Sequence, residues 1–263
     1  MEVKIFTKIL KAKEIVLLKI YIVFILIFMS LNSANANAVC DGDILKYVTG
    51  GRDIYFGELH GSNEVPELLK CLIDERIKHS PEKKFSVALE LNSLALNPKS
   101  DVWFGTDGRH SKAMWELVQH LMNLQKEDKI KIYMFNDLLS SNDDFSQNIN
   151  DKKIGLSLRS IAQETQLIVL SGNVHSRKLP PSFDTEIIPA GSYMPDSMIH
   201  IEIEAIENGE TWSCYENGCG VQLSPNFPYN NAQVGKLVNG KFLEHDFIYF
   251  VEKFTASAPK YEK

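Results

Sequence analysis

The chain has 263 residues, with 28 Lys or Arg against 34 Asp or Glu and a formal net charge of −6. An acidic surplus repels nucleic acid and anionic lipid, so neither is an expected partner. The length suits one α/β domain with an adequate core, and nothing in it forces two.

The chain opens with Lys4, Lys8, Lys11, Lys13 and Lys19, and the apolar run IYIVFILIFMSL follows. Next comes NSANANAVC, in which Ala36-Asn37-Ala38 has the small-x-small form of a signal-peptidase site. Basic start, apolar core and small-residue cut site describe a secretory signal. The run falls short of the ~20 apolar residues of a membrane span. Residues 1–38 are therefore expected to be a signal peptide and 39–263 a single soluble domain, secreted or periplasmic, with no stable membrane anchor after cleavage. A retained N-terminal anchor is the alternative. Cleavage removes five lysines and two glutamates, leaving 23 basic against 32 acidic residues, a net −9. Four cysteines remain, Cys40, Cys71, Cys214 and Cys219, and an even count in an exported chain argues for disulfides. CYENGC makes Cys214–Cys219 the natural local pair, with Asn217-Gly218 as the tight turn, which leaves Cys40 with Cys71. No CxxC or neighbouring His speaks for zinc at these cysteines.

In chain order, DIYFGEL (53–59) reads as the first strand. A helix over 65–77 follows, lined on one face by Val65, Leu68, Leu69, Leu72 and Ile77. FSVALEL (85–91) is the second strand. The next helix, over 111–124, starts behind a Ser111 cap and carries Met114, Leu117, Val118 and Leu121 on one face. KIKIYMFN (129–136), a helix over 152–164 and QLIVLSGNV (166–174) complete the series. The strands are continuously apolar, as strands covered on both faces are. Strand and helix alternate, which means crossover units and a mostly parallel central sheet flanked by helices. The last third differs. MIHIEIEAI (198–206) alternates like a half-exposed antiparallel strand, ETWSCYENGCGVQL reads as a disulfide-pinned hairpin, and HDFIYFVE (245–252) as a final strand. The expected class is α/β, with antiparallel strands added in the C-terminal third.

In such sheets ligands gather beyond the carboxyl ends of the strands. The first strand delivers Glu58, His60 and Glu64 there, the second Glu90, the third Asn136-Asp137, and the fourth His175 and Arg177. Gly57-x-x-His60 and Gly172-x-x-His175 share the form GxxH, in which glycine permits a sharp exit from the strand. Glu90 ends a run that should be buried, and a buried carboxylate needs a cation, metal or histidine nearby. His60 could instead cap a helix, and Glu64 could simply complement the helix dipole. Arg109, behind the Asp107-Gly108 turn, could clamp a substrate carboxylate or phosphate, or hold Asp107 or Glu90 in place. His110 reads as a solvated neighbour.

Two GxxH motifs with an intervening Glu resemble the superfamily that joins Tiki proteases, erythromycin esterases and haem-uptake ChaN proteins. GELHGSNEVPELL followed by VALELN is most similar to the erythromycin esterase opening, and GNVHSRK supplies the third motif. The likeness runs from about Asp53 to His175. DGRHSKAM and the Trp212–Cys219 segment are similar to uncharacterised exported bacterial members. This resemblance implies a polar site at the strand ends. The esterase branch implies water activation by His60 and Glu90, and the Tiki branch a divalent metal on His60, Glu90 and His175. The ChaN branch implies haem, although its histidine-rich helix is replaced here by EVPELLKCLIDERI.

The resulting expectation is a hydrolase of ester or peptide bonds acting on a small molecule or peptide. In a metal-free form Glu90 orients a histidine, His60 takes the proton from water, and His175 or Arg109 stabilises the oxyanion. In a metal form His60, His175 and Glu90 hold Mn, Zn or Fe while Glu58 or Glu64 acts as base. Glu64 is also a candidate for substrate binding beside Arg109. No GxSxG is present for a serine nucleophile. The competing reading is a haem- or metal-binding protein without catalysis, with Tyr55, Tyr193 or Met194 as candidate haem ligands.

Overall fold

A computed structural model describes residues 40, 42–138, 146–215, 218–226, 229, 232–240 and 244–261. The expected signal peptide, 1–38, lies outside the described residues. Residues 42–263 group into one compact unit.

Within it a short helix α1 (Leu45–Thr49) leads to β1 (Ile54–Glu58), α2 (Glu64–His79) and β2 (Phe85–Leu89). Then come α3 (Lys112–Lys126), β3 (Ile130–Met134), α4 (Gln147–Glu164) and β4 (Leu167–Gly172). The later strands are β5 (Ile199–Ala205), β6 (Gly209–Tyr215), β7 (Gly218–Ser224), β8 (Leu237–Asn239) and β9 (Phe247–Val251). Seven strands form one sheet in the order β3-β2-β4-β1-β5-β9-β8. Every pairing in it is parallel except β8 with β9.

Burial explains the continuous apolar runs. Every residue of β1, β2 and β4 is buried, with helices available to cover both faces. Val65, Leu68, Leu69 and Leu72 of α2 lie in the core, each worth about 1.5–3 kcal/mol of removed apolar surface. The Ser111 cap is present, its hydroxyl accepting from the Met114 amide at 3.3 Å.

One expected strand differs. β5 is not antiparallel: it runs parallel to β1 on one side and β9 on the other. Its alternation has another cause. Glu202 faces a partly buried polar cluster, with Oε1 3.7 Å from Arg177 and Oε2 3.5 Å from His245. The alternating polar residue marks internal polar contacts, to the Arg177 guanidinium and a neutral His245, rather than an open face. The antiparallel pairings of the C-terminal third are β6 with β7, a separate two-stranded sheet, and β8 with β9.

After β9 the chain runs as a strap over 254–261 that ties two helix starts. Asn63 and Ser257 amides donate to the Thr255 and Gly61 carbonyls, and Lys112 and Lys260 amides to the Ala258 and His110 carbonyls. Glu64 Oε2 accepts from the Thr255 amide at 2.8 Å and Oε1 from its hydroxyl at 2.5 Å.

Replacing the α3 cap, Ser111→Ala, should lower stability by about 1 kcal/mol in a urea titration. An unchanged midpoint would show that the hydroxyl contributes nothing.

Candidate active site

The sheet register assembles the site. β1 and β4 pair so that Glu58 lies beside Gly172. β2 pairs with β4 through Leu89 and Leu170, and the Glu90 amide continues the ladder onto the Leu170 carbonyl at 3.1 Å. Glu58, Glu90 and Gly172 therefore share one edge, at the carboxyl ends of three adjacent strands.

Glu90 is the hub. It is 7% exposed, and both its oxygens are engaged. Oε1 accepts from Arg109 Nη1 at 3.0 Å, and Oε2 from the Gly172 amide at 2.7 Å. Its carbonyl accepts from Asn136 Nδ2 at 3.2 Å. The two imidazoles face the same carboxylate from either side, His60 Nε2 at 3.6 Å from Oε2 and His175 Nε2 at 3.7 Å from Oε1. Both distances exceed a hydrogen bond, so neither Nε2 is committed to Glu90.

Each imidazole is backed by a carboxylate of its own. His60 Nδ1 donates to Glu58 Oε1 at 2.9 Å, and His175 Nδ1 to Asp151 Oδ1 at 2.5 Å. Asp151 lies in the second turn of α4 and is fully buried. The sequence reading gave Glu90 the task of orienting a histidine. In the fold Glu58 and Asp151 hold the two rings, while Glu90 stands between them.

The glycines of the GxxH motifs serve close approach rather than a sharp exit. Gly57 and Gly172 both lie inside strands, and neither has a positive φ. A Cβ at Gly172 would stand 3.0 Å from His60 Nε2 and 3.5 Å from Glu90 Oε2. Only glycine leaves those two groups their space.

Arg109 takes the holding role. Besides Glu90 it grips Asp107, with Nε at 2.9 Å and Nη2 at 2.7 Å from Oδ2. His110 is not a solvated neighbour: its Nδ1 donates to Asp107 Oδ1 at 2.9 Å and its ring meets Trp103 edge-on. Glu64 stands apart from the cluster, bonded to the strap. Tyr55 and Met194 are buried in one core cluster with Ala88, Ile154 and Val169.

The charges reinforce one another. Burial works against an ionised Glu90, but His60, His175, Arg109 and the Gly172 amide outweigh it and hold the carboxyl below its usual range. Burial likewise opposes charge on His60. The Glu58 bond and the Glu90 field override it, and the ring is raised above 6.5. His175 is raised too, burial being overcome by Asp151 and Glu90.

A cavity of about 460 Å³ opens beside the centre, lined among others by Glu90, Arg109, Asn136, Asn150, His175 and Ile187. A larger one, about 820 Å³, lies elsewhere and includes His200 and His245 in its wall. Burial pushes His200 down to about 4 and His245 to about 3, so both are neutral at neutral pH and neither joins the rim. The smaller cavity is the one bordered by Glu90, Arg109 and His175.

A divalent metal fits this donor set poorly. The two imidazoles do have the carboxylate partners that metal-ligating histidines commonly use. Yet Glu90, the third donor, already accepts on both oxygens, and the Arg109 guanidinium supplies the positive charge a metal would bring.

No protein-family model matches the sequence, and a search of curated proteins finds no match. Solved structures do match. A Bacillus cereus protein superposes with a TM-score of 0.52 at 10% identity, over 83% of this chain and 93% of its own. That likeness shows a shared α/β fold. A succinoglycan biosynthesis protein gives 0.49 at 12% identity, over 83% and 92%. A mutant of the erythromycin esterase EreC in its open conformation gives 0.42 at 13%, over 69% and 78%. These two are too loose to speak for this chain's chemistry.

The charge pattern fixes a pH dependence. The stabilisation from a depressed Glu90 is present above 4.5 and lost as pH falls through its lowered value. That from the raised histidines is complete below 6.5 and lost as pH rises through their elevated values. Glu90→Gln should therefore cost most, about 3 kcal/mol, between pH 4.5 and 6.5. Urea melts across pH check this, and a pH-independent difference would contradict the coupling.

Proposed function

We propose that the chain is a hydrolase that activates water directly, with no covalent intermediate. The observation that carries this reading is the paired arrangement of two carboxylate-backed imidazoles whose Nε2 atoms face one ionised glutamate. Single histidines often serve structure. Two of them, each with Nδ1 tied down and Nε2 uncommitted, form an acid–base pair.

Proton supply follows from the electrostatics. The Glu90 anion favours a proton on a neighbouring imidazole, and with Arg109 already on one oxygen the two rings compete for the remaining charge. The mechanism calls for one neutral and one protonated ring, and the titration of two imidazoles on one carboxylate belongs to the pair. The neutral ring takes a proton from water at Nε2, and the charged ring gives one from Nε2 to the leaving group. Glu58 and Asp151 hold the tautomers that keep both Nε2 atoms available. Arg109, one third exposed, borders the cavity and stabilises negative charge developing on the substrate oxygen. The bond cleaved is an ester or peptide bond of a small molecule or peptide that fits the cavity beside His175.

The address is exported. The leader over 1–38 supports it, as do the cysteines: Cys214 is bonded to Cys219, Cys40 and Cys71 are disulfide-bonded, and no free cysteine is found among the described residues. No helix among those residues is long and apolar enough to cross a membrane.

A panel of nitrophenyl esters, lactones and short peptides tests the activity. His60→Gln and His175→Gln should each slow turnover by about 10²–10⁴-fold, with the native circular dichroism kept at the assay temperature, and the native chain should lose nothing on chelation. Turnover at the wild-type rate in both variants would end the proposal. A stoichiometric metal lost in His175→Ala would replace the metal-free route, and a Soret band on haem titration would favour the binding reading.

A further inference from the structure

The β6–β7 hairpin is absent from every reading of the rim, yet it touches both loops that carry the reactive groups. It is hydrogen-bonded to neither edge of the main sheet. Two-stranded ribbons of this kind are marginal alone in water, so its order comes from what pins it. Cys214 and Cys219 sit directly opposite one another and are joined by a disulfide. Their sulfurs rest on Thr106, Cys214 Sγ 2.9 Å from its carbonyl oxygen and Cys219 Sγ 3.3 Å from its hydroxyl.

Two residues before Cys214, the main chain of Trp212 is wedged between the loops. The Trp212 amide donates to the Gly61 carbonyl at 2.9 Å, and its indole Nε1 to the Thr106 carbonyl at 3.1 Å. A Cβ at Gly61 would collide with the Trp212 carbonyl. One at Gly108 would come within 2.6 Å of that oxygen, 3.1 Å of the Gly61 nitrogen and 3.2 Å of the His60 carbonyl carbon. Both glycines have φ of +82°, so backbone conformation and space both demand glycine there. Gly61 follows His60 in the chain, and Gly108 precedes Arg109. The two loops and the Trp212 backbone form one packed stack, with a reactive side chain on either side of it.

We infer that the disulfide-pinned hairpin is the positioning element of the rim, its Trp212 main chain setting the placement of His60 relative to Arg109 and hence to Glu90. None of its residues is placed among the groups that bond Glu90 or the two imidazoles; it acts through Gly61, Gly108 and Thr106. His175 is independent of it, being held by Asp151 on α4. The kinetic side of this inference rests on the proposed hydrolase reading; the structural side does not.

The test is the double variant Cys214→Ser with Cys219→Ser, which leaves both loops and all reactive groups intact. Amide hydrogen exchange should accelerate at least tenfold over 58–62 and 105–111, while 172–176 keep their protection. On any ester or peptide the native chain cleaves, kcat should fall by about 10²-fold, the scale of an ångström-sized misplacement, with KM little changed. Trp212→Phe, which keeps the hairpin and removes only the indole bond to Thr106, should give a smaller change of the same kind. Should the double variant not fold, this second one decides. Unaltered exchange in both loops overturns the inference whether or not a substrate is known. Altered exchange with no cleavage by the native chain leaves the positioning role standing and removes the hydrolase reading instead.

Discussion

A carboxylate at the closed end of a buried strand is costly unless charge and hydrogen bonds come to meet it. Glu90 imposes that demand here, and the surrounding elements answer it. β4 ends in a glycine whose amide points at Oε2, a turn ahead of α3 brings a guanidinium to Oε1, and β1 and β4 each send an imidazole toward it. These donors come from stretches far apart in sequence, so the rim is a tertiary construction. Its two rings need carboxylates of their own, which explains why Glu58 is buried at a strand end and Asp151 in the second turn of a helix. Four acidic groups, counting Asp107, thus surround one arginine and two histidines, and the acidic surplus favours a proton on the histidines.

Much of this was legible in the chain. Continuous apolar runs marked β1, β2 and β4 because both faces are covered, whereas the edge strand β3 has only Ile130 buried, and the repeated GxxH marked two strand ends on one edge. Glu90 stood out as an acid where an apolar residue was due. Asp151 did not: in NINDKKIG it looks like one more solvated helical acid, since nothing in helical periodicity tells an inward acid from an outward one when its partner lies 24 residues on. Glu58 was visible, but its bond to the histidine two residues later depends on a turn whose shape is set by Gly61 and the residues packed on it. The direction of β5 was misread because alternation reports polarity, and polarity has two sources. Glu202 is polar to meet Arg177 and His245, not water.

The division of labour among the polar residues is sharp. One group of histidines is raised above its ordinary value by adjacent acids and sits at an accessible edge. The other, His200 and His245, is lowered by burial beside the larger cavity. The larger cavity lies away from the cluster of His60, Glu90 and His175. Uncommitted ring nitrogens next to a charged hub are the better guide, because chemistry needs atoms whose valence the fold has not already used.

The strap over 254–261 carries a further consequence. His60, Glu90, Arg109 and His175 have all emerged from the ribosome well before it, yet the loops bearing His60 and Arg109 are bonded to it at Gly61, Asn63, His110 and Lys112. A chain complete only through β9 therefore lacks the bonds that seat both helix starts, and the placement of His60 and Arg109 waits on the strap.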